Sequence, residues 1–405
     1  MQELCVLIVG GGYAGIMCAL RLAGKARHLR VGLVNPNRLF VERLRLHETL
    51  VGAPKYSLRS FDIEEILKRR AVEFFPGHVV SLHPGFSRLT VHSDDGTHTV
   101  LAYRRLVIAS GSKTSLGKIE GQAEYSFSVD SDRGNNAAAL HAALSEFPKP
   151  RVTIIGGGAT GVEVAAEIAQ KPDAIVKLVS SGKIASGMID PVAKRIHSRL
   201  LAVGVELIEN ADVVSIQKDH ISLGGGDVVH DICVSATGFE VDSLWRKSGL
   251  PTTENGRIRT DPYLRTIGVP SIYAVGDASF VVPHKSAPAR MSVMYAMTSG
   301  AHVANTIIDE FAERTPRRFG FWTYGQAIGL GPAAVGFGNM RYDRAYAPYF
   351  TGRVGFHIRH FFISMLFKLL LLEARLPGFP FNFGRPVRRQ QALWKTEVKK
   401  INEGT

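Results

Sequence analysis

Cysteine is scarce. The chain of 405 residues has three, Cys5, Cys18 and Cys233, and none forms a C-x-x-C or any other close pair. That excludes a zinc ribbon and an evident redox disulfide, and it suits a reducing cytoplasm. Long apolar runs are missing too. None approaches the ~20 residues of a membrane span. The first, Leu4 to Val9, starts so near Met1 that no signal or transit peptide is expected. A cytoplasmic protein is therefore expected. Low-complexity and disorder-prone stretches are absent. So is a long basic run, although the formal net charge is +13. Such an excess favours nucleic acid, anionic lipid or phosphate-bearing cofactors. With no basic stripe and no nucleic-acid motif, nucleic acid is not an expected partner.

Glycine is abundant, 41 residues against 19 prolines, and it clusters in short motifs. The length predicts two or three domains at ~100–200 residues each. Leu4 to Val9 reads as a buried parallel strand, Tyr13 to Ala26 as a helix and Arg30 to Val34 as a second strand. The pattern returns at Arg151 to Ile155, Thr160 to about Gln170, and Ile175 to Val179. Each copy is followed by a polar hairpin, Arg88 to Leu101 turning at Asp94-Asp95-Gly96, and Val214 to Ile232 turning at Gly224-Gly225-Gly226. Each hairpin leads into an apolar strand and a small-residue turn, Ala109-Ser110-Gly111 and Ala236-Thr237-Gly238. This is one internal duplication of a unit of about 100 residues. A strand Ser271 to Val275, a helix from about Ala289 to Ala312, an apolar helix from Phe356 to Leu376 and a basic tail (Arg385 to Lys400) come after it.

Two glycine turns carry the chemistry. Gly10-Gly11-Gly12-Tyr13-Ala14-Gly15 and Gly156-Gly157-Gly158-Ala159-Thr160-Gly161 both satisfy G-x-G-x-x-G between a strand and a helix. The first glycine makes the turn, the second admits a pyrophosphate, and the third lets helix pack on strand. The phosphate then rests on free N–H groups at a positive helix end. Two dinucleotide sites in one chain imply a hydride relay between two cofactors.

The layout resembles the two-dinucleotide-binding-domain flavoproteins, the pyridine nucleotide-disulfide oxidoreductase superfamily, and within it the type II NADH dehydrogenase-like group. The resemblance covers residues 1 to about 310. It implies FAD on the first motif, at Gly10, Gly12, Tyr13, Ala14 and Gly15, and NADPH or NADH on the second, at Gly156, Gly158, Thr160 and Gly161. Tyr273-Ala274-Val275-Gly276-Asp277 matches the motif that sets an aspartate on the flavin ribityl chain. Met291 and Ser292 would then aim backbone donors at the flavin pyrimidine ring, where a helix N-terminus favours negative charge. Val79, after Gly77, would contact adenine through its backbone. The closing turns Ala109-Ser110-Gly111 and Gly238 are counted with the cofactor-binding residues.

Several positions depart from the family pattern. The acidic residue that accepts ribose hydroxyls ~20 residues past each motif is replaced by Asn35 and Ser180. Ser180, Ser181 and Lys183 offer hydroxyls and a cation where a carboxylate would repel a 2′-phosphate, which favours NADPH over NADH. Glu163 stands where the family carries a glutamate near nicotinamide and flavin; it either orients the carboxamide or is a first-turn acid that suits the helix dipole. The segment Phe40 to Glu48, where disulfide reductases of this fold carry their cysteines, has none. Arg43 and His47 on it either face the flavin or substrate or belong to a packing helix. The spaced glutamines of the quinone helix are Met294 and Thr298 here. The helix 356–376, with His357, Arg359, His360 and Lys368, either lies on an anionic membrane surface or packs in a core or homodimer interface.

The expected fold is α/β, with two Rossmann-like three-layer dinucleotide-binding domains and a C-terminal α/β appendage. FAD would occupy 1–115 and 247–315, the nicotinamide dinucleotide 116–246, and an interface or membrane-associated region 316–405. The expected activity passes hydride from NAD(P)H to flavin and electrons on to a quinone-like or other small-molecule acceptor. Rival acceptors are a specific metabolite, in a pocket shaped by Trp322 and Tyr324, or a ferredoxin-type protein. A DNA-binding role resembling apoptosis-inducing factor lacks a basic stripe to support it.

Overall fold

A computed structural model describes residues 3–52, 57–130, 136–282, 289–320, 323–341, 344–345 and 349–381. Trp322 and the tail from Arg385 to Lys400 lie outside the described residues, as does the side chain of Tyr324. The duplication is written in the sheets. In the first unit Leu4–Val9 runs parallel to Val31–Asn35 on one side and to His98–Ile108 on the other. Glu73–Pro76 extends the sheet beyond Val31–Asn35. In the second, Arg151–Ile155 lies between Ile175–Val179 and Ile232–Ser235, with Glu206–Ile208 on the outside. Strand order is the same in both. The first unit gains a fifth parallel strand, Val269–Ala274.

The strands are apolar throughout because both faces are covered. Val6 and Ile8 face the helices Tyr13–Lys25 and Val293–Phe311. Leu7 and Val9 face the antiparallel layer of His78–His83, Arg88–His92 and the start of His98–Ile108. Period-two alternation thus generates three layers. The sequence reading missed His78–His83, a short run whose alternation is broken by a register shift between Val79 and Ser81. The inserted unit is joined to the first through Lys113–Thr114, which pairs antiparallel with Phe239–Glu240.

Helix ends obey local chemistry. The helix expected from Ala289 begins at Val293, because the Ser292 hydroxyl accepts from the Tyr295 N–H at 3.2 Å and caps it. It crosses the Tyr13–Lys25 helix at Gly300, where a Cβ would collide with the Ala14 carbonyl.

The C-terminal region is a hairpin, Thr323–Leu330 with Ala333–Arg341, followed by the helix Gly352–Arg375. At 24 residues this helix is long and apolar enough to cross a membrane, contrary to the expectation that no segment would be. It is nevertheless docked on the protein body along one side. Phe367 meets Phe40 and Phe61, with ring centroids 6.0 and 5.9 Å apart. Arg21 of the first helix donates to both Glu373 oxygens, at 2.9 and 2.8 Å, and neither side chain has exposed surface. Arg359 and His360 are also buried, so these two do not face a headgroup layer. Breaking a buried pair strands a charge and costs about 3–5 kcal/mol. Glu373→Ala is therefore expected to lower the denaturant midpoint strongly. The double replacement Arg21→Met with Glu373→Leu should recover most of that loss.

Candidate functional site

The two glycine turns are structural twins. Gly10 (φ +111°) and Gly156 (φ +121°) both adopt a backbone that side chains avoid. Their N–H groups donate to Val34 and Val179, each at 2.8 Å. A Cβ at either would collide with the carbonyl of Ala109 or Ala236. Gly15 and Gly161 let the helix approach so closely that a Cβ would strike the Gly10 or Gly156 carbonyl. Gly12 and Gly158 are the N-caps, with no side-chain cap and open space where a Cβ would be. The helix N–H groups therefore face an open cradle, the requirement for a bound diphosphate.

The rest of the first site gathers around Asp277. Its strand ends at Ala274, and Gly276 (φ +59°) turns the chain. The Asp277 carboxylate accepts from the Ser112 hydroxyl at 2.9 Å and from the Ser292 backbone amide. Burial raises its pKa, and Ser112 offsets this in part. A partly buried carboxylate with acceptor capacity to spare fits a ribityl chain of hydroxyls. Ser292 is thus turned to Asp277, with Met291 half-buried beside it. Tyr13 and Ala14 are buried, and Tyr13 packs edge-on against Phe40 at 4.9 Å. Its hydroxyl has no partner among the described residues, and burial drives its pKa upward. Asn35 accepts from the Gly11 N–H at 2.7 Å and donates to the Asn37 carbonyl at 2.7 Å. Just past the strand end the Ala109 N–H donates to the Val9 carbonyl at 2.8 Å, Ser110 accepts from the Trp245 indole at 3.1 Å, and Gly111 (φ +68°) closes the turn. Val79 is half-buried on the strand after Gly77.

In the second unit Thr160 is half-buried in the first helical turn, and Gly238 (φ +102°) is exposed. Ser180 is buried against Gly157, while Ser181 and Lys183 are exposed.

Between the two units lies a buried ionic cluster that the sequence reading found only in part. Glu163 accepts at Oε1 from the Gly329 N–H (2.9 Å) and from Arg359 (3.0 Å). Its Oε2 stands 4.0 Å from His47 Nδ1. Arg359 also donates to Glu48 at 2.6 Å, and Glu48 takes Arg45 (2.8 Å) and His360 (3.1 Å) on its other oxygen. Gly329 must be glycine or small, because a Cβ there would lie 3.3–3.5 Å from His47, Arg359 and Glu163 together. His47 and Glu163 are therefore brought together, whereas Arg43 stands apart. Its guanidinium donates to the Ser112 carbonyl (2.9 Å) and Asp130 (2.7 Å). The missed members were signalled by Arg359 and His360 inside an apolar helix, where an unpaired charge is costly.

Electrostatics in the cluster come from burial and pairing. Burial pushes Glu48 up, but His360, Arg45 and Arg359 more than offset it, leaving its pKa far below the carboxylate range. Burial lowers His47, which is neutral at pH 7. One turn along from Glu163, burial and the Glu48 charge raise Glu167 to about 7.

The chain belongs to the pyridine nucleotide-disulphide oxidoreductase family, whose model matches residues 5–300. It is an FAD- and NAD(P)H-dependent oxidoreductase. It is 24% identical over 349 residues to an NADH dehydrogenase-like protein of Mycobacterium tuberculosis, covering 82% of this chain and 86% of that one. It is also 24% identical over 361 residues to the type II NADH:quinone oxidoreductase of Staphylococcus haemolyticus, covering 80% and 87%. In structure it is similar to NDH2 from Plasmodium falciparum, with a TM-score of 0.74 and 15% identity over 94% of this chain and all of the other. Unlike the family's disulfide chemistry, all three cysteines are free, and Cys18 and Cys233 are buried.

Glu167 binds its proton in the fold at pH values where the unfolded chain, with a carboxyl near 4.5, has released it. Stability therefore falls as pH rises from about 4.5 to about 7 and levels off above. Glu167→Gln should raise the melting temperature at pH 8, and the gain should vanish below about pH 4.5; thermal unfolding across pH measures it.

Proposed function

We propose that this oxidoreductase passes electrons from NAD(P)H to a quinone. The observation that carries this is the double role of one helix. Gly352–Arg375 presents Arg359 and His360 inward to the cluster between the two dinucleotide units, and Phe361 and Phe362 outward to solvent. Beside them a cleft of about 240 Å³ is lined by Arg45, Arg59, His357, His360, Phe361 and Ser364. Basic donors suit quinone carbonyls, and an apolar rim suits a prenylated tail. Relatives named as quinone oxidoreductases support the same reading.

Bound FAD would supply the two-electron carrier between the nicotinamide and the acceptor. The chain's own work is positioning and electrostatics. The amides after Gly12 and Gly158 would hold the diphosphates, and Asp277 would hold the ribityl hydroxyls. Arg43 fixes the Ser112 carbonyl, and Ser112 in turn fixes Asp277. Glu163, anchored at Oε1 by Gly329 and Arg359, keeps Oε2 for the nicotinamide carboxamide. The division into FAD-binding 1–115 and 247–315 and nicotinamide-binding 116–246 rests on the two-stranded link at 113–114 and 239–240.

The outer face of the helix is proposed to rest on an anionic membrane at its inner, cytoplasmic side. Val354, Phe361, Phe362, Leu376 and Phe379 are exposed there, with His357 and Lys368. Apolar burial plus basic attraction is the chemistry of interfacial helices. A second reading is a specific metabolite as acceptor. It is favoured by Thr298, buried and bonded within its helix to the Met294 carbonyl at 2.7 Å, where a quinone helix would offer glutamines.

The purified protein should be yellow and bleach anaerobically with NADH or NADPH. Colour should return faster with ubiquinone or menaquinone analogues than with a metabolite panel; the reverse order selects the second reading. Glu163→Gln should lower kcat/KM for the nucleotide about tenfold or more, the scale of a lost charge-assisted hydrogen bond. Vesicles containing phosphatidylglycerol should sediment the protein and neutral ones should not. Phe361→Ser with Phe362→Ser should abolish sedimentation, whereas a concentration-dependent dimer lost in the same variant would identify a homodimer face.

A further inference from the structure

Arg257 ends a tight turn and is fixed there by its own backbone. The Thr253 N–H donates to its carbonyl at 2.9 Å, and its N–H donates to the Thr253 hydroxyl at 3.1 Å. The next two residues, Ile258–Arg259, run parallel to Ser279–Phe280, the segment that follows Asp277. Strand alternation sends Arg257 and Arg259 to the same side, where their guanidinium carbons lie 5.4 and 5.6 Å from the Phe280 ring centre. Arg259 stays half-exposed, whereas Arg257 is buried.

The buried guanidinium works as a clamp. Its Nε donates to the Ser279 carbonyl and its Nη2 to the Ala289 carbonyl, each at 2.9 Å. The Ala289 N–H donates in turn to the Val281 carbonyl at 2.9 Å. One rigid fork and one backbone bond thus draw residues 279–281 and Ala289 together. Ala289 stands three residues before Ser292, the cap of Val293–Phe311. The clamp therefore sets the approach to the helix end that would face the flavin.

The same group carries an unmatched charge. Among the described residues no carboxylate forms an ion pair with Arg257, and the acceptors it has are neutral carbonyls. A buried cation is normally paired. Its field reaches Asp277, as does that of Arg43. Arg43 is already matched by Asp130 at 2.7 Å. Arg257 is left to counter Asp277, beside the place where a flavin gains negative charge on reduction.

We propose that Arg257 is a positioning residue of the flavin site: its fork places the Met291–Ser292 end of the helix, and its charge makes the bound flavin easier to reduce. This rests on the reading of Asp277, Met291 and Ser292 as flavin contacts.

The midpoint potential of the bound flavin, read from its absorbance against a reference dye, tests the charge apart from turnover. Arg257→Met should shift the flavin–dye equilibrium about tenfold toward oxidised flavin, the scale of one unit charge at the effective dielectric of a protein interior. Arg257→Lys keeps the charge but cannot span both carbonyls. It should recover most of that shift and still release flavin faster on dilution, as followed by flavin fluorescence. Arg259→Met, half-exposed on the same side, should leave the potential in place. An unshifted potential in Arg257→Met overturns the role of the charge, and so does an equal shift in Arg259→Met. Should the methionine variant fail to fold, Arg257→Lys decides alone, and wild-type flavin release in it overturns the clamp. Asp277→Asn should move the equilibrium the opposite way. If it alters neither flavin release nor potential, the placement of the flavin is wrong and the proposal falls with it; if it alters them while Arg257→Met does not, the proposal falls alone.

Discussion

The Arg359 guanidinium ties together three parts of the chain that are far apart in sequence. It reaches Glu48 beside the first unit, Glu163 on the glycine-turn helix of the second, and does so from the C-terminal helix. A buried charge is tolerated only when its partners satisfy it. The cluster therefore demands that the segment 43–49, the helix Ala159–Ile168 that carries Glu163, and the C-terminal helix arrive together. Gly329 completes it by contributing an amide and no side-chain bulk. Both the site and the seating of the C-terminal region depend on this constraint, with the Arg21–Glu373 pair securing the helix at its other end.

Around that cluster, duplication gives two cradles of the same backbone and different chemistry. The glycine turns are interchangeable in geometry, because both answer to the same steric demand of strand, turn and close-packed helix. The segments that complete each cradle are not interchangeable. The first unit closes on Asp277 and the capped helix Val293–Phe311. The second closes on an exposed loop of serines and a lysine.

Much of this was legible in the amino-acid order. Short continuous apolar runs and the glycine spacing located both units, and the Tyr-Ala-x-Gly-Asp ending marked the first. Each is local, set by backbone sterics and alternation within a few residues. Boundaries moved where a side chain intervened, as when Ser292 capped a helix expected to begin earlier. Arg359 and His360 were visible as interruptions of an apolar helix, but whether they met a membrane surface or a protein core stayed open. Helical periodicity places a residue on a face, but which face is buried depends on what packs there.

The sequence by itself determined two dinucleotide cradles, the duplication that relates them, and the lack of a cysteine pair. Those features need only nearest-neighbour geometry. Tertiary structure alone decided that Glu163 meets His47 and Arg359, that Arg43 turns instead to Asp130, and that Glu209 accepts from the Ile184 N–H. These contacts join residues 25 to 196 positions apart. They are fixed by the desolvation of charge, which selects partners by proximity in space and leaves no periodic trace along the chain.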